Sequence, residues 1–177
     1  FMIYFFFFVL FVLILILILA SVQFYNIVFR GFAPFISTKF EAVLTILKDL
    51  DLKGDECVYE LGSGKAGFLR AVEQRFGNKK LTGVEYSFFP YILAKIQIAL
   101  SGSSIKIIRK DMFKVNLKEA DILYCFLSPE MMIKLEKKFK TECRPGTLVI
   151  SYHFKLPNSE PERILKENND NIYFYRI

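Results

Sequence analysis

The stretch Cys57-Val58-Tyr59-Glu60-Leu61-Gly62-Ser63-Gly64-Lys65-Ala66-Gly67-Phe68 decides how the rest of the chain is read. An apolar run ends in an acid, passes a glycine-rich turn and continues as Phe68-Leu69-Arg70-Ala71-Val72, the start of a helix. A strand that turns sharply into a helix uses glycine to reach positive φ without a Cβ clash. Glycine also lets backbone N–H groups and a helix N-terminus approach a ligand closely. Gly62, Gly64 and Gly67 satisfy G-x-G-x-x-G, a pattern of low specificity alone. Two acids sharpen it. Glu60 stands just before the glycines, where a strand-tip carboxylate can meet a cationic ligand. Glu85 ends the next apolar run, Leu81-Thr82-Gly83-Val84-Glu85, about 25 residues on, where such folds bind ribose hydroxyls.

Outward from that stretch the chain alternates strands and helices. Lys53-Gly54-Asp55 turns into the first strand, and the helix after the glycine loop runs to about Phe76, stopped by Gly77-Asn78. Lys80 to Tyr86 reads as a second strand, followed by a helix opened by Ser87-Phe88-Phe89-Pro90 and running through Leu100. Ile105 to Lys110 alternates as a third strand, with Asp111-Met112-Phe113 at its end. Ala120 to Leu127 is a fourth strand, and Ser128-Pro129-Glu130 starts a helix through about Lys140, with proline at a favoured early position. Thr147 to His153 is a fifth strand. Arg163 to Lys166 and Ile172 to Ile177 flank a polar turn, Glu167-Asn168-Asn169-Asp170-Asn171, and form an antiparallel hairpin with almost no helix before it. Upstream, Phe40 to Leu50 is amphipathic, with Thr38 as its N-cap and Glu41 completing a capping box. The expected fold is α/β: a Rossmann-like, doubly wound, mostly parallel sheet ending in that hairpin. Glu60, Glu85, Asp111 and the segment after Leu127 then share the carboxyl edge of the sheet, where ligands bind at the topological switch point.

The N-terminus is of another kind. Residues 1 to 29 contain no charged residue and no histidine, so all 24 basic and 18 acidic residues follow. Phe5 to Leu19 is an almost unbroken apolar run, and about 20 apolar residues suffice to span a bilayer. The expectation is one transmembrane anchor over 1–29 and one soluble domain over 30–177. A cleaved signal peptide competes with it, but would want a basic n-region and a clear small-residue cleavage site. Arg30 and Lys39 follow the span, which by the positive-inside rule predicts a single-pass protein with its domain on the cytoplasmic side. The net charge of +6 suits anionic lipid head groups. No aromatic-basic RNA motif is present, so nucleic acid is not the expected partner. Cys57, Cys125 and Cys143 are scattered and there is one histidine, which predicts reduced thiols and no metal site.

Glu60-Leu61-Gly62-Ser63-Gly64 followed by Gly83-Val84-Glu85 resembles the S-adenosylmethionine site of the class I methyltransferases. Pro34-Phe35-Ile36-Ser37-Thr38, between a membrane span and that loop, resembles the Pro-Phe-Val-Pro-Thr pre-motif of a narrower family, with Ser37 in place of its second proline. These are the membrane-anchored protein-lysine methyltransferases related to the ATP synthase c-subunit lysine N-methyltransferase. Ala66 stands where the family often has its third glycine. The resemblance implies S-adenosyl-L-methionine as cofactor, held by Glu60, Gly62, Ser63, Gly64, Glu85, Tyr86, Asp111 and Met112. Asp111 would take the adenine amino group and Met112 would lie against the ring. It also implies a protein substrate, methylated on lysine.

Methyl transfer from a sulfonium is an in-line displacement, so the protein must aim and desolvate more than it must activate. Phe35, Tyr124 and Phe126 are candidate walls for an ammonium. Thr38, Ser128 and Glu130 are candidates for orienting the amine, so the catalytic set is Thr38, Phe35, Phe126 and Glu130. Glu130 also fits as a first-turn acid favoured by the helix dipole, and His153 reads as structural. A lipid or small-molecule acceptor, an NAD-dependent oxidoreductase and a non-catalytic tethered module remain open from the residues alone.

Overall fold

A computed structural model describes residues 2–30, 37–77 and 80–177. The chain forms two compact units, Phe1–Pro34 and Phe35–Ile177. The first is a helix, α1 (Met2–Arg30). Its Met2–Val22 portion is long and apolar enough to cross a membrane. Nearly all its described side chains are exposed within the chain.

The second unit begins with α2 (Phe40–Asp49) and continues β1 (Cys57–Leu61), α3 (Gly67–Phe76), β2 (Lys80–Glu85), α4 (Phe88–Ser101) and β3 (Lys106–Arg109). A short 3-10 turn (Met112–Lys114) leads to β4 (Ile122–Cys125), α5 (Pro129–Glu142), β5 (Leu148–Tyr152), β6 (Arg163–Glu167) and β7 (Asp170–Arg176). The seven strands lie in the order β3-β2-β1-β4-β5-β7-β6. All pairings are parallel up to β4–β5, and β7 runs antiparallel to β5 and β6. The chain winds outward from β1 through β3, then returns to β4 on the other side of β1. That reversal opens the crevice between β1 and β4.

Alternation along the strands assigns the two faces. Val58, Ile122, Tyr124, Leu148, Ile150, Ile172 and Phe174 join a core with Ala42, Ile46, Phe68, Leu69, Val72, Ala94 and Ile98 from α2, α3 and α4. On the opposite face Cys125 and Ser151 approach the Met132 sulfur of α5 at 3.8 and 3.9 Å. The central strands β4 and β5 are buried at every residue, as parallel strands covered on both faces must be. The edge strand β6 carries Arg163 and Lys166, which discourage pairing with another chain. Residues 153–162, between β5 and β6, contain no helix, in line with the sequence.

One local expectation fails. Lys39, not Thr38, takes the N-cap position of α2, and among the described residues no side chain caps that helix. The Thr38 hydroxyl lies 2.6 Å from the Tyr124 hydroxyl instead. A single strong partner in the core outcompetes the N–H groups of an exposed helix start. Asn78, expected to stop α3, and Phe35 lie outside the described residues.

Candidate active site

The loop after β1 is fastened from three sides. Gly62 and Ser63 both donate their N–H to the Val84 carbonyl of β2, at 2.9 and 3.0 Å. Gly64 N–H donates to Glu85 Oε2 at 2.9 Å, and Ser87 N–H donates to Oε1 of the same carboxylate at 2.6 Å. Glu85 therefore ties the glycine loop to the turn after β2. Gly62 and Gly64 have φ of 73° and 52°, the left-handed region that glycine enters freely.

The backbone shape is completed by two close approaches. A Cβ on Gly62 would lie 2.8 Å from Leu127 Cδ2 and 3.9 Å from Met112 Cε, so Met112 borders the loop. A Cβ on Gly83 would meet Ile107 Cδ1 at 2.6 Å and Ser63 Oγ at 2.8 Å. Gly83 is thus glycine because Ser63 folds over β2. Ala66, not Gly67, holds the left-handed position at the entry to α3, with φ 56°. Gly67 has open space around it and no positive φ.

Glu60 is buried, and its carboxylate accepts the Leu69 N–H at the start of α3 at 3.4 Å. Burial pushes its pKa up to about 8, more than the Leu69 and Phe68 backbone N–H groups pull it down. Ser63 Oγ is buried without a hydrogen-bond partner among the described residues. A buried hydroxyl left unpaired beside a glycine loop is what a missing polar ligand would satisfy. Asp111 Oδ1 accepts the Phe113 N–H at 3.0 Å, capping the 3-10 turn beside buried Met112. Tyr86 is half-buried, its carbonyl accepting Arg109 Nε at 3.4 Å.

A second group lies over β4, β5 and the start of β7. Tyr124 pairs in register with Glu60, stacks on Phe68 with centroids 4.0 Å apart, and meets Thr38. Burial raises the Tyr124 pKa well above its usual value, so the hydroxyl stays protonated. Phe126 packs edge-on to Tyr152 at 4.8 Å. Tyr152 donates its hydroxyl to Asp170 Oδ2 at 2.6 Å, while His153 Nδ1 lies 2.9 Å from Oδ1. Lys39 Nζ completes the cluster at 2.8 Å from Oδ2.

The structure thus joins Glu60, Gly62, Ser63, Gly64 and Glu85 in one cradle, with Met112 alongside, and brings Thr38 and Phe126 to the neighbouring aromatic group. Glu130 is exposed in the first turn of α5. Its own backbone N–H and then the Ser128 hydroxyl lower its pKa. Asp170 and Tyr152 were not singled out from sequence, because Asp170 sits in a turn-rich Asn-Asn-Asp-Asn run that gives no reason to expect burial. A groove of about 780 Å³ lies at the opposite edge of the sheet among Asp121, Arg144, Arg163 and Arg176, and is lined by neither group.

Comparison with known proteins accords with this geometry. The ANTKMT methyltransferase domain family matches residues 60–163, more than half of the chain. The chain belongs to that family. A protein-lysine N-methyltransferase of Saccharolobus islandicus is 27% identical over 150 residues, covering 81% of this chain and 93% of that protein. The adenine nucleotide translocase lysine N-methyltransferase of Mus musculus is 27% identical, over 90% of this chain and 69% of its own. The ATP synthase c-subunit lysine N-methyltransferase of Homo sapiens is 25% identical, and this chain spans 60% of its length. Among solved structures, an RNA methyltransferase of Salinibacter ruber in complex with S-adenosyl-L-homocysteine superposes with a TM-score of 0.74 at 23% identity, over 80% of this chain and 94% of that one. At that identity the likeness speaks for the fold. The sheet order and the loop after β1 are accordingly those of a methyltransferase of the ANTKMT family.

Proposed function

We propose that this protein is an S-adenosylmethionine-dependent protein-lysine methyltransferase, held at a membrane by the helix over residues 1–29, that modifies a membrane-associated protein. The observation that carries the reading is the cradle itself: a glycine loop closed to side chains at Gly62, tied to Glu85, with the Ser63 hydroxyl buried and unpaired among the described residues. The names of the curated relatives favour lysine as the acceptor. The helix, long and apolar enough to cross a membrane, favours a substrate that shares the bilayer. The cytoplasmic orientation rests on the charges that follow the helix.

The residues fit the cofactor. Glu60, Gly62, Ser63, Gly64, Glu85, Tyr86, Asp111 and Met112 would hold it, and the bound group would supply an electrophilic methyl on a sulfonium. Asp111 engages only one oxygen in its own turn among the described residues, leaving the other to accept an amine N–H. Glu60, protonated near neutral pH, gives up its proton when a cation is placed beside it. Thr38, Phe35, Phe126 and Glu130 form the proposed acceptor side. Thr38 holds the Tyr124 hydroxyl in place, and the ring of Phe126 offers an apolar wall. Apolar surroundings lower a lysine pKa, so the amine sheds its proton to water before it attacks.

Calorimetric titration of the full chain in detergent micelles tests the reading, with S-adenosylmethionine, S-adenosylhomocysteine and NAD as ligands. Binding of the first two without NAD, abolished by Gly62→Arg and by Glu85→Ala, is expected. No binding by a folded chain, or unchanged affinity in both variants, overturns it. Transfer of a tritiated methyl to protein rather than lipid in membranes decides the acceptor class.

A further inference from the structure

The cluster around Asp170 is built from residues far apart in the chain: Lys39 from the start of α2, Tyr152 and His153 from the end of β5, and Asp170 from the first position of β7. Its carboxylate is largely shielded, with 11% of the side chain exposed, whereas the Lys39 side chain is 59% exposed. The acid is therefore a fixed part of the fold, and the ammonium comes to it from solvent. Lys39 and Tyr152 hold the Asp170 carboxyl well below the usual carboxylate range, so it stays charged throughout the working pH range. His153 adopts a left-handed backbone with φ 72°, rare for a residue with a Cβ, and this turn accompanies its approach to Oδ1.

The place in the fold matters as much as the chemistry. Lys39 directly follows Thr38, whose hydroxyl meets Tyr124 beside Glu60. Phe126 packs on Tyr152, whose hydroxyl meets Asp170. Asp170 thus adjoins the aromatic group next to the cofactor cradle, at the carboxyl edge of β4 and β5. An aromatic-framed carboxylate that already carries an alkylammonium is a receptor for a lysine side chain.

We propose that Asp170, with Tyr152, His153 and Phe126, is the subsite that captures the ammonium of the incoming lysine, and that Lys39 occupies it until the acceptor arrives. This rests on the lysine-methyltransferase reading and deepens it. Exchange of one ammonium for another leaves the shielded carboxylate paired throughout. Lys39 returns to water with little change, because it is already mostly hydrated. The carboxylate favours the protonated amine, as it does in raising the Lys39 pKa, so the acceptor gives up its proton to solvent only after it leaves Asp170 for the apolar wall beside the cofactor.

The test uses n-butylammonium as a lysine side-chain mimic and the imidazole NMR signals of His153, the chain's single histidine, as a local reporter on the full chain in micelles. In the wild type the signals shift on titration with n-butylammonium and not with neutral n-butanol. Lys39→Ala removes the internal competitor and tightens n-butylammonium at least fivefold, while the near-isosteric Asp170→Asn weakens it at least tenfold. With a lysine peptide as substrate, KM falls in Lys39→Ala and rises in Asp170→Asn, with S-adenosylmethionine affinity unchanged in both. A merely structural ion pair moves both variants the same way, and that parallel loss overturns the proposal. So does an unchanged affinity in Lys39→Ala, a surface substitution that leaves the core untouched. A chain that transfers no methyl to lysine refutes the underlying function instead, and the n-butylammonium titration still decides the subsite.

Discussion

Replacing Glu60 by glutamine should make the unliganded protein more resistant to alkaline conditions while disabling its site. Burial pushes the Glu60 carboxyl up to about 8, against about 4.5 in an unfolded chain. Because the folded pKa is the higher one, the contribution of this group is full below pH about 4.5 and is lost as pH rises through about 8. At about 1.4 kcal/mol per pH unit, wild type should lose roughly 3 kcal/mol between pH 5 and pH 8 that the glutamine variant does not. Glutamine keeps an oxygen for the Leu69 N–H but buries an amide donor, a penalty of about 1–3 kcal/mol independent of pH. The variant should therefore be the less stable protein at pH 5 and the more stable one at pH 8. At about 2–4 °C per kcal/mol, the difference in Tm between the two proteins should swing by about 6–12 °C over that range. The chain has no tryptophan and nine tyrosines, so near-ultraviolet circular dichroism of the full chain in micelles follows the melt. Affinity for S-adenosylmethionine should rise nearly tenfold per unit from pH 5.5 to 7 in wild type, as Glu60 must ionise to meet a cation. The variant should bind weakly with no such slope. A Tm difference that stays constant across pH, or parallel affinity profiles, refutes the assignment of a buried, protonated Glu60.

Other substitutions probe the supporting structure. Gly83→Ala places a methyl against Ile107 and Ser63 and should cost about 1–3 kcal/mol by denaturant titration, with loss of cofactor affinity as Ser63 is displaced. Tyr124→Phe removes the partner of Thr38 and should cost about 1 kcal/mol, lowering kcat in a peptide assay while leaving calorimetric cofactor affinity intact. Burial acts to raise the Glu136 pKa, but hydrogen bonds from Ser159, Lys140 and Asn158 outweigh it and hold the carboxyl at about 2. Its contribution is present above about pH 4.5 and lost as pH falls through about 2, so Glu136→Gln should cost about 2 kcal/mol at pH 7 and flatten the acid limb of a pH–stability curve.

Much of the glycine-loop cluster was readable because its determinants are local. Glu60 precedes its loop by a fixed offset, and Glu85 must end a strand that pairs with β1, so strand–turn–helix grammar places both. The aromatic group over β4 and β5 was readable only in part. Thr38 looked like a cap because Glu41 follows it at capping-box spacing, yet its hydroxyl goes to Tyr124, a residue no local pattern links to it. The G-x-G-x-x-G spacing points to Gly67, whereas the left-handed turn falls on Ala66, the position where the resembled family often has its third glycine. The path of the chain into α3 decides between the two.

The sequence by itself determined the apolar N-terminal helix, the alternation of strands and helices, the doubly wound sheet with its terminal hairpin, and the loop of Gly62 and Gly64 between two acids. All of these follow from hydropathy period, turn chemistry and chain order, which act over a few residues at a time. The tertiary structure alone decided that Ser63 lies over Gly83, that Glu60 is buried deeply enough to hold its proton, and that Asp170 meets Lys39 across 131 positions. Those outcomes depend on the register of β7 against β5 and on how much water the packed helices exclude, and neither quantity is written in any short stretch of the chain.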